Sequence, residues 1–565
     1  MNRLKLLLAV CLVALLFAAP LLAQGDGPAT TARPKLVVLL VVDQMRTDYI
    51  EQYGFQWKGG LKRLVEQGAW YREAAYPYFH TVTCTGHATI ATGAFPSKHG
   101  MILNGWWDRA TKSAVNCTDD PQAKTLSYGE EVKGGHSPQR LMVPTLAEEM
   151  RAQLGEGTRV VTMSLKARGA IMMAGHRADA VLWFDRAWVT SSYYAAEPPA
   201  FLRDFFRGNR VDSDFRRTWS RARRDYLYED YAKGEKPPGG WSSDFPHLIG
   251  GAKDRPDSLF YSLWAASPYS DAYLGKMAEY TVEKMKLGQT TGTDFLGISF
   301  SALDAVGHNF GPHSHEVQDV LVRLDEAIGK FLASLDKTVG PQNYVVAFSS
   351  DHGVAPIPER MQKEKRDAGR VPTLDVAQNI ENALVAVLGP GPHVARVVYT
   401  DVYLHPATLE KVRENPAAKR AVEESAKLVK GVAEVFFADD LRQGADNGNP
   451  LVHSASLSHF PGRSGDILVL PKPYWFLVNP SKENPPGAAA THGTGYDYDA
   501  RVPVILMGAG IRGGKYSGAA TPADLAPTLA QLVGVTLSHA DGRVLSEALA
   551  PGAPAAEPVK PAKAP

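Results

Sequence analysis

The feature that most constrains the fold is a set of short apolar runs, several of which are followed at once by an acidic or imidazole side chain. The runs cover 35–42, 159–165, 295–300, 343–348, 466–470 and 502–507. They read as buried strands of a mainly parallel sheet, whose strands are covered on both faces and so need no polar alternation. Helical patterns over 61–67, 145–154, 270–285 and 317–335 lie between them. Alternating strands and helices predict an α/β protein, a three-layer α/β/α sandwich on a mainly parallel central sheet. Two stretches, 190–268 and 356–459, fit the alternation poorly and are expected to be inserted regions, either of them a candidate cap over a site. No internal repeat is visible.

Open α/β sheets place ligand sites beyond the carboxyl ends of their strands. Asp43 follows the first run. Asp304 and His308 follow the run 295–300, and Asp351 and His352 follow 343–348. His492 precedes the run 502–507 and is expected to reach the same edge on a loop. Three carboxylates and three imidazoles suit zinc, with manganese, iron and cobalt as alternatives. Six ligands exceed what one catalytic zinc uses. The set therefore predicts two ions, an arrangement able to hold the attacking and leaving oxygens of an in-line displacement. Each motif alone is weak; an Asp after a strand is usually a cap or turn residue. Their joint placement after strands carries the expectation.

The segment 81–93, rich in hydroxyls, reads as a loop entering a helix that ends at Gly93 and Pro96. A hydroxyl there has two readings: an N-cap, or a nucleophile beside the unpaired N–H groups that favour a bound phosphate.

At the ends, residues 1–23 carry a short basic start and an apolar stretch closing at Ala23. This predicts a cleaved secretory signal peptide and a periplasmic or secreted protein without a stable membrane anchor. Beyond it only Cys84 and Cys117 remain, so this is no disulfide scaffold; one bridge and two free thiols are both open. The segment 548–565 is mostly Pro, Ala, Gly and Lys after its first residues, and is expected to be a disordered tail. Across 565 residues, 61 Lys and Arg stand against 60 Asp and Glu with no basic stripe, so composition indicates no nucleic-acid partner.

Together these residues resemble the alkaline phosphatase superfamily, in the branch that holds the type I phosphodiesterases and nucleotide pyrophosphatases. Within it the likeness is to PafA-type bacterial alkaline phosphatases with a threonine nucleophile. The resemblance rests on Val41-Val42-Asp43-Gln44-Met45-Arg46, Thr83-Cys84-Thr85-Gly86-His87, Pro96-Ser97-Lys98-His99-Gly100, Asn104, Ser164-Leu165-Lys166-Ala167-Arg168-Gly169, Asp304-Ala305-Val306-Gly307-His308, Asp351-His352-Gly353 and His492-Gly493-Thr494. It spans residues 34–547, the expected catalytic domain. It implies that Asp304, His308 and His492 hold one zinc, and that Asp43, Asp351 and His352 hold the other together with the oxygen of Thr83. It selects Thr83 as nucleophile, four residues before His87, and gives Asn104, Lys166 and Arg168 the non-bridging phosphate oxygens, with the Cys84 N–H as a further donor.

The implied activity is that of an exported phosphomonoesterase acting on small phosphate esters through a phosphothreonine intermediate, with a possible side activity on diesters. The Lys-x-Arg pair favours a dianionic monoester on Coulomb grounds. The alternatives are a phosphodiesterase or nucleotide pyrophosphatase, and a non-catalytic metal-dependent phosphate-binding protein. Cys84 lacks the downstream arginine of the sulfatase motif, so a sulfatase is set aside. Cys84 is expected to be a small packing residue, and His87, His99, His176, His313 and His315 to be structural.

Overall fold

The computed structural model describes residues 33–128, 131–227, 232–443, 448–479 and 487–552. The expected signal segment lies outside the described residues. The central sheet has ten strands: β1 (Leu36–Val42), β2 (Ala69–Tyr71), β3 (Thr125–Ser127), β4 (Val160–Ser164), β5 (Ala180–Asp185), β6 (Ala187–Ser191), β7 (Asp294–Phe300), β8 (Tyr344–Ser349), β9 (Val504–Gly508) and β10 (Gly514–Tyr516). Their order across the sheet is β10-β2-β9-β8-β1-β7-β4-β5-β6-β3.

Strand β1 lies between β7 and β8 and is parallel to both, with Val42 opposite Phe300 and Val41 opposite Ser349. Strand β4 continues the parallel set on the far side of β7. Strand β9 runs antiparallel to β8, with Val504 opposite Ser349, so the loop leading into β9 sits at the carboxyl edge of β1, β7 and β8. This register brings the ends of the apolar runs to one rim.

The residues of β1 alternate between two cores, as the period-2 geometry of a strand requires. Leu36, Val38, Leu40 and Val42 pack into one, against helices α3 (Pro268–Met285), α4 (Ala302–Phe310) and α5 (His315–Thr338). Val37, Leu39 and Val41 pack into the other, with Ile90 of α1 (Thr83–Thr92) and Met173 of α2 (Ala167–Ala174). Helices thus cover both faces, the three-layer sandwich expected from the sequence.

The inserted regions behave differently from each other. The stretch 190–268 sends Phe205, Trp219, Phe260 and Trp264 into the same core as α3 and α5. Trp219 Nε1 donates to Asp319 Oδ1 of α5 at 2.7 Å. This stretch pads one helical layer. The second region forms its own four-stranded sheet from Val394–Val398, Asp401–Leu404, Ile467–Pro471 and Val432–Phe437, with helices Thr373–Leu388 and Pro416–Lys427 over a separate core. The run 466–470, expected in the central sheet, belongs here, and the unit extends past 459 to the strand Trp475–Val478. At the other end the chain stays packed beyond 547: Ala548 is buried, Leu549 bridges Ile511, and Ala550 N donates to Gly510 O at 2.9 Å. The expected tail therefore begins later than 548, and its remainder from 553 lies outside the described residues. Among the described residues no helix is long and apolar enough to cross a membrane.

Candidate active site

Asp43, Asp304 and Asp351 leave three adjacent strands, β1, β7 and β8, at the same rim, and all three are buried. His308 stands one turn after Asp304 on α4, with its Nε2 3.2 Å from Asp304 Oδ1. His352 Nε2 lies 3.4 Å from Asp43 Oδ1 and 3.5 Å from Asp351 Oδ2. His492 arrives on the loop before β9; its ring stacks on that of His352 at 3.4 Å and lies 5.1 Å from that of His308.

The three imidazoles share one orientation. His308 Nδ1 lies 2.8 Å from Ala490 O, His352 Nδ1 2.9 Å from Gly353 O, and His492 Nδ1 2.9 Å from Thr81 O. A carbonyl only accepts, so each Nδ1 carries a proton and each Nε2, once unprotonated, turns its lone pair to the site. This is the arrangement of metal-binding histidines. Two groups of ligand atoms converge: Asp43 with Asp351 and His352, and Asp304 with His352 and His492. Asp43 Oδ1 and Asp351 Oδ2 are buried without a hydrogen-bond partner. Buried carboxylate oxygens left so are costly unless a cation meets them. The donor set therefore fits divalent metal ions.

Electrostatics sharpen this. Burial, with Asp304 and Asp351 nearby, pushes the Asp43 carboxyl well above its usual range, and Lys166 only partly offsets it. Burial also works against ionised Asp304, but Lys166 and His308 outweigh it and hold that group well below the ordinary value. Asp351 is likewise held down by His352 and His87 against the effect of burial. Burial lowers His352, and burial with the neighbouring imidazoles lowers His492 further, so both are neutral and ligand-ready at neutral pH.

Thr83 is the first residue of α1, and its Oγ1 lies 3.4 Å from His352 Nε2. The helix sits close to the metal-ligand rim because residue 86 is glycine: a Cβ there would come within 2.1 Å of Asp351 O. Asn104 Oδ1 accepts from Cys84 N at 2.8 Å. That contact fixes the Asn104 amide, and it also occupies the Cys84 N–H expected to serve a phosphate, which corrects that assignment. Cys84 is more than a packing residue: it is disulfide-bonded to Cys117.

Lys166 departs from its expected placement. Its Nζ donates to Asp43 Oδ2 and Asp304 Oδ2, at 2.5 Å each, rather than standing clear as an anion grip. An ammonium has three donors, so one N–H remains. Arg168, two residues on in α2, is half-buried and its buried Nε has no hydrogen-bond partner.

The structure adds contacts by Gln44, Asp271 and Tyr399, to which the sequence reading gave no role, and by His87, which it expected to be structural. Gln44 donates its main-chain N–H to Asp351 Oδ1 at 3.1 Å and its side-chain amide to Asp304 Oδ1 at 2.7 Å. It does so from a left-handed conformation, φ 70°. His87 lies 3.2 Å from Asp351 Oδ2 and 2.8 Å from Ser299 Oγ. Asp271 of α3 accepts from Ser301 N and Ala302 N at the start of α4. Tyr399 donates to His492 O at 2.6 Å. Adjacency to Asp43 was the only signal for Gln44; Asp271 and Tyr399 had none. His99 and His176 take partners of their own, Thr89 Oγ1 and Glu148 Oε1. Beside His308 and His492 opens a cleft of about 430 Å³, with Asn104 and Trp106 on one wall and Tyr399, from the second inserted region, on another.

Comparison with known proteins gives a consistent picture. The family model for type I phosphodiesterase / nucleotide pyrophosphatase matches residues 37–497. A Myroides odoratus protein named calcium-transporting ATPase is 31% identical, over 92% of this chain and 95% of its own. Alkaline phosphatase PafA of Elizabethkingia meningoseptica is 31% identical over 92% of this chain and 95% of its own. Alkaline phosphatase PhoV of Synechococcus elongatus is 30% identical over 92% and 94%. The crystal structure of wild-type PafA superposes with a TM-score of 0.83, covering 92% of this chain and 99% of that one. A second PafA structure carries substitutions at one threonine, one asparagine, one lysine and one arginine.

Proposed function

Since the chain belongs to the type I phosphodiesterase / nucleotide pyrophosphatase family and is similar along nearly its whole length to PafA-type alkaline phosphatases, we propose that it hydrolyses phosphate monoesters with Thr83 as nucleophile at a two-metal site. The observation that carries this reading is the Thr83 hydroxyl at a helix N-terminus, 3.4 Å from His352 and beside carboxylates whose buried oxygens lack partners. The four residue types substituted in the PafA variant occur here as Thr83, Asn104, Lys166 and Arg168 with the same spacing along the chain.

Two zinc ions, one held by Asp43, Asp351 and His352 and one by Asp304, His308 and His492, would lower the barrier to deprotonating a hydroxyl and offset charge on the leaving oxygen. The chain's own residues do the rest. The N-terminus of α1 presents Thr83 Oγ1 to phosphorus, and its attack gives a phosphothreonine that water then hydrolyses. Arg168, the remaining Lys166 N–H and the Asn104 amide meet the non-bridging oxygens. A dianion suits this cationic pair better than a diester, which supports monoester over diester hydrolysis. Export to the periplasm or beyond is supported by the signal-like residues 1–23 and by the disulfide.

The test is phosphate release from an aryl phosphate and from a bis-aryl phosphate, with and without a chelator. Turnover of the monoester should exceed that of the diester and stop on chelation. Thr83→Ala should lower it by on the order of 10³-fold or more while the fold persists. Full activity in that variant would end the nucleophile assignment.

A further inference from the structure

In-line attack sends the leaving oxygen to the side of phosphorus opposite the nucleophile. Thr83 stands with His352, while His492 and His308 lie successively farther along the rim. The cleft of about 430 Å³ opens beside these two imidazoles: His308 and His492 line it together with Val82 and Asn104, whereas Thr83, His352 and Lys166 do not. Its volume falls in the range of small-molecule sites.

Apart from the two imidazoles, the polar side chains of its lining are the uncharged Asn104, Asn116, Asn479 and Thr491. Its apolar lining is Val82, Leu103 and Trp106, which are buried, and Val115, Val398 and Tyr399, which are half-buried. Among the described lining residues there is no Lys, Arg, Asp or Glu. One guanidinium, Arg463, stacks on Trp106 at 5.3 Å, but its NH1 donates to the carbonyls of Gly100 and Arg140. An anionic substituent reaching out along the cleft would lose water and meet no Lys or Arg side chain of the lining, at a real cost. An apolar or aromatic group would lose only its contact with water.

Resting on the monoesterase reading, we propose that this cleft is the subsite for the organic half of the ester, and that it selects monoesters of uncharged, apolar or aromatic alcohols over those whose leaving group carries a second anion. Tyr399 sets one wall and is itself held by its bond to His492 O. Trp106 and Val115 face each other in the hairpin Gly105–Asp108/Ser113–Asn116 and set the other.

The experiment compares 4-ethylphenyl phosphate with 4-(carboxymethyl)phenyl phosphate, whose phenols are similarly acidic, so the chemical step is matched. The wild-type protein should favour the ethyl compound in kcat/KM by about tenfold or more, the scale of discrimination that an apolar pocket supplies. Val115→Arg, which puts a cation on the half-exposed hairpin, should bring the ratio below one. Equal kcat/KM for the two aryl esters in the wild-type protein overturns the subsite, as does a ratio unmoved by Val115→Arg. If the variant fails to fold, the wild-type ratio still decides. Absence of turnover on both aryl esters in the metal-loaded wild-type protein would instead overturn the monoesterase reading, and this inference with it.

Discussion

The side-chain amide of Gln44 donates to Asp304 Oδ1 at 2.7 Å. Through its main-chain N–H the same residue also holds Asp351. One side chain and its own backbone therefore tie together a carboxylate from each ligand group. Gln44→Ala keeps the backbone bond and removes the other. Outer-shell partners of this kind are worth about 10- to 100-fold in metal affinity. We expect a loss of that size, read by competition with a chromogenic chelator, with a smaller loss of kcat once metal is saturating.

Lys166 is the cation between Asp43 and Asp304 and the neighbour of Arg168. Lys166→Ala removes both the clamp on those carboxylates and one phosphate donor. Loss of a single oxyanion donor costs about 10²- to 10³-fold. Monoester turnover should fall by about that much and bis-aryl phosphate turnover by less, so the ratio of the two rates is the measurement.

Asp271 supplies a stability test. Burial pushes its carboxyl up to about 7, against the opposing bonds from Ser301 and Ala302. In the unfolded chain an aspartate titrates near about 4. The folded state therefore binds more protons between the two values, and the stability linked to this group is present below about pH 4 and is lost as pH rises through about 7. Asp271→Asn keeps an acceptor for α4 and abolishes the titration. The wild-type protein should gain stability relative to Asp271→Asn on going from pH 8 to pH 5, by on the order of a few kcal/mol at most. Urea midpoints at the two pH values measure it.

The Cys84–Cys117 bond joins the second residue of α1 to the end of the hairpin that follows Asn104. It closes a loop with a sequence separation of 33. Cys117→Ser should cost about 3 kcal/mol, the usual scale for a bridge of this span. A reductant should produce a similar drop in the wild-type denaturation midpoint and little change in the variant.

What could be read in advance followed from physics that is local in the chain. Leu36–Val42 is apolar at every position because parallel strands are covered on both sides, and Asp43 follows at once. The same reasoning found Asp304, Asp351 and their histidines. It misassigned the run 466–470 because five apolar residues do not record which sheet they join. It left Cys84 and Cys117 open because a bridge depends on how a hairpin folds back. It could not foresee that Lys166 would span two carboxylates, or that Asp271 would cap a helix thirty residues away, since both depend on packing between distant elements. Gln44 was hidden by a backbone conformation unusual for its residue type.

The central position of β1 has one more consequence. Asp43 leaves the middle strand, and Asp304 and Asp351 leave the strands hydrogen-bonded to it on either side. Neighbouring strands are about 4.8 Å apart in every sheet. The lateral spacing of the three strand ends from which the carboxylates follow is thus inherited from the peptide hydrogen bond itself. A slip of one residue between β1 and either neighbour would keep that spacing but carry one acid out of line with the others along the strands.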